Sequence, residues 1–198
     1  EAAVRDAVAR VTAEWGPLDL AIANAGIGIP TPAKKFVVAD AVAVLRTNVE
    51  GTFNLFGAVM PAMVERNEGH FVGIGSISSF RGVPGGSVYS ASKAAMRAFL
   101  EAARVELRST NVDVMIVNPG FIATPMTEKN RFRMPFLMEA GEAASLIADG
   151  IEERRKELNF PFPMVMLMRL MRILPIALYD RVTTGFGKRR IDAFRARR

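Results

Sequence analysis

The sequence predicts an α/β fold, a parallel sheet with helices on both faces in three layers. Three observations lead there. Short apolar runs alternate with longer segments of helical period through most of the chain. The runs suit strands buried in a parallel sheet. The loops that follow them hold Asn, Gly, Ser and Pro, and in open α/β sheets ligands bind at the carboxyl ends of the strands. A chain of 198 residues, half of them apolar, is one domain by length and can bury an ordinary core.

Residues 1–15 place Ala, Val and Trp at helical spacing between charges, an amphipathic helix stopped by Gly16-Pro17. Leu18 to Ala23 reads as the first strand, and Gly26, Gly28, Pro30 and Pro32 mark the loop after it. Residues 39–66 form a long helical pattern that Pro61 is expected to bend. Phe71 to Ser76 is the second strand, followed by a Gly/Pro/Ser loop over 78–87. A helix rich in Ala, Leu, Glu and Arg covers 88–109. Val112 to Val117 is the third strand, 119–137 an irregular loop and 139–157 a further helix.

Composition narrows the chemistry. The absence of cysteine excludes disulfides, a thiol nucleophile and a thiolate metal site. The single histidine, His70, makes a zinc site untenable, so no metal is expected. Its place at the head of Phe71-Val72-Gly73-Ile74 makes it a structural, strand-edge residue. The net charge of +6 is unevenly placed: residues 160–198 carry nine Lys/Arg against two Asp/Glu, and the rest carries 17 against 18. A near-neutral body lacks the basic face of a nucleic-acid binder. Glu1 opens a charged helical segment rather than a signal peptide, which sets the expectation of a cytoplasmic protein. That the first residue is not Met suggests a chain that begins partway through a longer protein.

Tyr89 and Lys93 stand four apart on the 88–109 helix and share a face. Ser76 lies thirteen residues before Tyr89, at the end of a predicted strand. A phenol, ionising near about pH 10, is a poor base at neutrality. A cation one helical turn away favours the phenolate. A hydroxyl can donate to an oxygen on which charge develops. The three groups together suit the proton half of a hydride transfer between a nicotinamide and a carbonyl or alcohol, the nicotinamide supplying the hydride chemistry. Three further motifs surround them: Asn24-Ala25-Gly26, Thr47-Asn48-Val49-Glu50-Gly51 and Asn118-Pro119-Gly120. Singly, each has a plain reading, as a tight turn, a helix-interior polar residue and a strand exit.

In this order and spacing the four motifs resemble the short-chain dehydrogenase/reductase family, from residue 1 to about residue 160. The resemblance implies a Rossmann-like doubly wound sheet, here lacking its first strands. It implies that Tyr89 is the catalytic acid/base and that Ser76 orients the substrate, with Ser78 and Ser79 as fallbacks. It implies that Lys93 also binds the nicotinamide ribose, and that Asn48 holds a water linking the lysine to solvent. Asn24, Ala25 and Gly26 fall at the turn beside the adenosine part of the cofactor, with Ala23 where many members have a second asparagine. Pro119, Gly120, Ile122 and Thr124 fall in the segment that packs on the nicotinamide carboxamide. The implied cofactor is NAD or NADP. The implied substrate is a secondary alcohol or ketone, and the apolar residues Met126, Phe132, Met134, Phe136 and Leu137 suggest an apolar one. Helices 39–66 and 88–109 imply a homodimer or homotetramer.

The family's opening turn, Thr-Gly-x-x-x-Gly-x-Gly, does not occur. Gly26-Ile27-Gly28 lacks the third glycine, and Gly185-Phe186-Gly187-Lys188 follows no strand. About one and a half βαβ units, roughly 50–60 residues, are therefore expected to be missing. With them goes the residue that separates NAD from NADP. The expectation is a fragment of a reductase with an exposed apolar sheet edge. Beyond residue 160, Met164 to Leu178 is apolar apart from Arg169, Arg172 and Pro175, and too short to span a bilayer. The basic residues Lys188, Arg189, Arg190, Arg195, Arg197 and Arg198 follow. This extension, 161–198, reads as a lid over an apolar pocket, a subunit-packing element, or a membrane-surface contact through 164–198. Two rival readings of the whole are a non-catalytic scaffold that keeps the fold and a peripheral membrane protein acting through its tail.

Overall fold

The structure, a computed structural model, describes residues 1–128, 130 and 132–195, with residues 186–195 described by their backbone alone. The elements are α1 (Ala2–Trp15), β1 (Leu20–Ala23), α2 (Val38–Leu45), α3 (Gly51–Arg66), β2 (Gly69–Ile74) and α4 (Ser87–Glu106). They continue with β3 (Val112–Pro119), α5 (Pro125–Glu128), α6 (Ala140–Glu152), β4 (Glu157–Phe160), α7 (Phe162–Ile173) and α8 (Ile176–Arg195). Of the basic cluster, Arg197 and Arg198 lie outside the described residues, as do the side chains of Lys188, Arg189, Arg190 and Arg195.

The four strands are parallel and stand in the order β1-β2-β3-β4. Successive residues of β2 and β3 point to opposite faces, so each strand feeds two cores. On one face Phe71, Val112, Val114 and Ile116 pack with Val59, Met60 and Met63 of α3 and Leu100 of α4. On the other, Val72, Met115 and Val117 pack with Leu158 and Phe160 of β4 and Ala143 of α6. This is the expected three-layer, Rossmann-like α/β/α arrangement, and continuous burial on both faces explains the unbroken apolar runs. α1 lies against α3, with Val8 leaning on the first core. β1 is an edge of the sheet, where Leu20 and Ile22 remain 39% and 41% exposed.

Three elements differ from the sequence reading. The helix expected over 139–157 ends at Glu152, Arg154 turns the chain at φ 51°, and Glu157–Phe160 forms a fourth strand. The long helix over 39–66 is interrupted at Arg46–Glu50 by a π turn rather than at Pro61. There the Gly51 N–H reaches the Arg46 carbonyl, five residues back. Pro61 sits inside α3, which is held to the sheet by buried Val59, Met60 and Met63. His70 is a buried residue within β2, in register with Leu20 and Asp113, and burial holds its imidazole below the ordinary range.

The approach of α4 to the sheet depends on Gly73 of β2, where an added Cβ would lie 2.2 Å from Leu100 Cδ1. Gly73→Ala is expected to lower stability by about 1–3 kcal/mol through overpacking, a drop in Tm of roughly 2–4 °C per kcal/mol. Gly57→Ala, on the open side of α3 with nothing within 4 Å of the added carbon, should instead stabilise by about 0.5–1 kcal/mol. Thermal unfolding followed by circular dichroism separates the two, and equal shifts would contradict this account of α4 packing.

Candidate active site

Because all strands run the same way, the loops leaving β1, β2 and β3 gather on one rim. They enclose a cleft of ≈ 370 Å³ above the N-terminal turns of α4. Asn24 and Gly26 line it from the β1 loop, Ser76 from the β2 loop, and Tyr89 and Lys93 from α4. Pro119, Gly120, Ile122 and Thr124 line it from the end of β3. Two sequence-predicted residues do not line it: Ala25 is exposed beside the cleft, and Asn48 is buried behind Gly26.

Lys93 is 4% exposed. Its Nζ donates to the Ile74 carbonyl at 2.7 Å, lies 3.6 Å from Met96 Sδ, and stands 6.0 Å from the centre of the Tyr89 ring. Burial lowers its pKa from 10.5 to about 8, so the ammonium is still the main form at neutrality. The charge is thus held within the site at the carboxyl end of β2.

Ser76 caps the short 3-10 turn Ile77–Ser79. Its Oγ accepts the Ser78 N–H at 3.2 Å and the Ser78 hydroxyl at 2.9 Å. A serine oxygen has two acceptor positions and one proton. With both acceptor positions filled, the remaining Ser76 function is donation, and the residue lines the cleft. This sorts the three serines: Ser76 accepts two bonds and keeps its proton for the cleft, Ser78 orients it, and the buried Ser79 Oγ takes no part in the network.

Asn48 is drawn out of the π turn to hold the β1 loop. Its Oδ1 accepts the Ile27 N–H at 2.8 Å, and its Nδ2 donates to the Ile27 carbonyl at 3.1 Å and to Ser92 Oγ at 2.9 Å. Ser92 in turn donates to the Tyr89 carbonyl at 2.7 Å. Thr31 secures the same loop further on, because its Oγ1 accepts the Val88 N–H at 3.2 Å at the start of α4. Gly26 faces this assembly: an added Cβ would make ordinary contact, 3.4 Å from Asn48 Oδ1 and 3.5 Å from Lys93 Nζ. Ser78 enters the sequence reading only as a fallback for Ser76, and Ser92 and Thr31 carry no signal of their own there. Thr127 is a further such residue; it donates to the Ile122 carbonyl at 2.5 Å and accepts the Thr124 N–H at 3.0 Å, shaping the β3 exit.

Part of the lining is apolar, but only Met126 of the five apolar loop residues reaches it. Phe136 and Leu137 are exposed, Phe132 packs edge-on against Phe121, and Met134 receives the Asn130 amide. Met164 and Met168 of α7 complete the wall. The cleft fits the nicotinamide–ribose end of a dinucleotide on its own features: a buried ammonium beside a hydroxyl and a phenol, and a lining that mixes polar and apolar residues.

A parallel α/β sheet with hydroxyl, phenol and ammonium on its carboxyl rim is the architecture of a dinucleotide-linked oxidoreductase. The chain belongs to the short-chain dehydrogenase family, whose family model matches residues 1–134. It is 42% identical over 178 residues to an uncharacterized oxidoreductase of Myxococcus xanthus, covering 90% of this chain and 70% of that one. It is 37% identical over 133 residues to the NADP-dependent 3-hydroxy acid dehydrogenase YdfG of Shigella flexneri, covering 67% of this chain and 54% of the other. The chain thus spans 70% of the Myxococcus protein and about half of YdfG. Among solved structures, a short chain dehydrogenase from Burkholderia cenocepacia in complex with NADP matches with a TM-score of 0.77. It is 27% identical, and the match covers 91% of this chain and 76% of that one. A short chain dehydrogenase/reductase from Burkholderia phymatum in complex with NAD shares the fold at a TM-score of 0.78 and 22% identity, covering 86% and 70% of the two chains.

The buried lysine makes stability depend on pH. Its folded pKa lies below its unfolded value, so its contribution is present above 10.5 and lost as pH falls through about 8. Relative to Lys93→Met, the unmodified protein should gain roughly 2–3 kcal/mol between about pH 7 and pH 10 in urea unfolding. A difference between the two proteins that does not change with pH would refute the buried charge.

Proposed function

We propose that this chain carries the substrate-reducing half of an NAD(P)-dependent oxidoreductase that interconverts a secondary alcohol and a ketone, with preference for an apolar substrate. The observation that supports this most is the convergence of Ser76, Tyr89 and the buried Lys93 on one cleft. Asn24, Gly26, Lys93, Pro119, Gly120, Ile122 and Thr124 would hold the dinucleotide there, with Ala25 at the turn's outer side. When bound, the nicotinamide carries the hydride chemistry.

The remaining steps belong to this chain's own residues. In reduction, the Tyr89 hydroxyl gives its proton to the substrate oxygen, and in oxidation the phenolate takes it back. The Lys93 ammonium stabilises that phenolate from the same helix face. Ser76, restricted to donation by Ser78, hydrogen-bonds the same oxygen as negative charge builds on it. Asn48 acts as a positioning residue: both of its amide donors are engaged by Ile27 and Ser92, which keeps Gly26 seated over the lysine. Met126, Met164 and Met168 exclude water and adapt to an apolar chain.

The pyrophosphate-binding turn would come from sequence outside these 198 residues, a reading supported by the 54% share of YdfG that the chain spans. Assembly into a dimer or tetramer would use α3 and α4, which leave Phe53 and Val105 exposed beside a groove lined by Phe56, Met60 and Phe99. Among the described residues no helix is long and apolar enough to cross a membrane. The contribution of Met164 and Met168 to the cleft favours a wall role for α7 over a membrane-surface role.

Titration with NADPH and NADH, followed by nicotinamide fluorescence, tests the reading. Saturable binding of one of them, with ketone turnover reduced about 10²–10⁴-fold by Tyr89→Phe at unchanged cofactor affinity, is expected. Binding without turnover of any ketone would favour a scaffold instead. Within the active site, Ser78→Ala should lower kcat about threefold to tenfold by freeing the Ser76 hydroxyl to rotate, while Ser79→Ala should not.

A further inference from the structure

Arg81 does not line the cleft, yet it makes several long-range polar contacts. It sits in the loop between β2 and α4, five residues after Ser76. Its Nη1 donates to three carbonyls at the end of α7: Met171 at 2.5 Å, Leu174 at 2.8 Å and Arg172 at 3.1 Å. Leu174 is extended there, so these carbonyls have no following helical turn to receive them. A cation at this position also faces the negative end of the helix. The guanidinium stacks on Tyr179 of α8, with Cζ 3.8 Å from the ring centre, and the Tyr179 hydroxyl donates back to the Gly82 carbonyl. The other side of α7 is seated by Val165, which packs with Ile77 and Phe80 from the same β2–α4 loop.

Resting on the oxidoreductase reading above, we propose that Arg81, clasped by Tyr179, is the positioning residue that fixes the Met164–Met168 wall and thereby sets the site's selectivity for longer apolar substrates. Nη1 shares its two protons among the three carbonyls while the flat guanidinium lies on the Tyr179 ring, and a lysine ammonium, which could reach the carbonyls, has no planar face to stack there. Without the clasp, α7 keeps its Val165 seat but loses the anchor at its C-terminal end. A short ketone would not need the wall, whereas a long one would.

The test is a series of methyl ketones of increasing chain length, reduced by the full-length protein with Arg81→Ala, Arg81→Lys and Tyr179→Phe. For the longest ketone, KM should rise about tenfold in Arg81→Ala, the loss expected for a charge-assisted hydrogen bond. The rise should be smaller in Arg81→Lys and in Tyr179→Phe. For the shortest ketone, KM, kcat and cofactor affinity should stay within twofold. KM raised equally for short and long ketones, or for neither, overturns the assignment. Hydrogen exchange provides a readout that does not need turnover. Amides of 162–173 should exchange about tenfold faster in Arg81→Ala while β2 and β3 keep their protection. Unchanged exchange there overturns the clasp. A protein that turns over no ketone yet shows the faster exchange in α7 would refute the oxidoreductase reading and leave the clasp standing.

Discussion

The bond from Lys93 Nζ to the Ile74 carbonyl organises the rest of the site. A buried ammonium is costly to desolvate, and it persists here because it faces the open end of a strand, where the last carbonyls of β2 point out of the ladder. That contact ties α4 to the carboxyl rim of the sheet. α4 reaches the rim because Gly73 leaves room for Leu100 one face away, and Tyr89 then stands one helical turn nearer the mouth. Gly26 lies over the assembly with room for one more carbon between it and both the ammonium and Asn48.

Around this charge the cleft has two kinds of lining. The groups that would meet the reacting atoms are held by hydrogen bonds: Ser78 on Ser76, Ser92 on the Tyr89 backbone, Ile27 on Asn48 and Thr127 on Ile122. Each of these bonds fixes a backbone or a hydroxyl rotor, which preorganises donors where charge develops. The apolar lining includes Met126, Met164 and Met168, which fill space without defining one shape. A fixed polar lining and a soft apolar one suit chemistry that is always the same on substrates that differ in their apolar part.

The sequence made the reactive groups legible because each sits at a place that local pattern marks. Ser76 ends an apolar run, Tyr89 and Lys93 share a helix face, and Asn24 and Pro119 follow strands. What held those groups in place was not legible. The π turn at Arg46–Glu50 adds to a helical pattern without disturbing its apolar period, so Asn48 stood out only by the family resemblance, and its bonds to Ile27 and Ser92 were not legible. Ser92 and Thr31 act on backbone groups of other segments, and a hydroxyl among many carries no sign of a distant partner. Arg81 is the extreme case, since its partners are carbonyls some ninety residues on, which every sequence possesses. The apolar loop after Pro119 misled for the converse reason: composition marked five residues, but only Met126 faces the cleft.

The four-residue strand β4 decides what the C-terminal helices can do. Its residues alternate polar and apolar and follow a charged helix end, so they carry no more strand signal than a frayed last turn. Yet β4 pairs parallel to β3, with Asn118 opposite Asn159. In a parallel sheet every segment that leaves a strand at its carboxyl end emerges on the same rim. Pro161 therefore delivers α7 to the side where Ser76, Tyr89 and Lys93 already stand, and the inner face of α7 must cover them. Composition alone left the tail open between a membrane surface and a wall, because it could not say in which direction the chain left the sheet. Once β4 is in place that direction follows, and with it the reason why methionines occupy the positions of α7 that face inward.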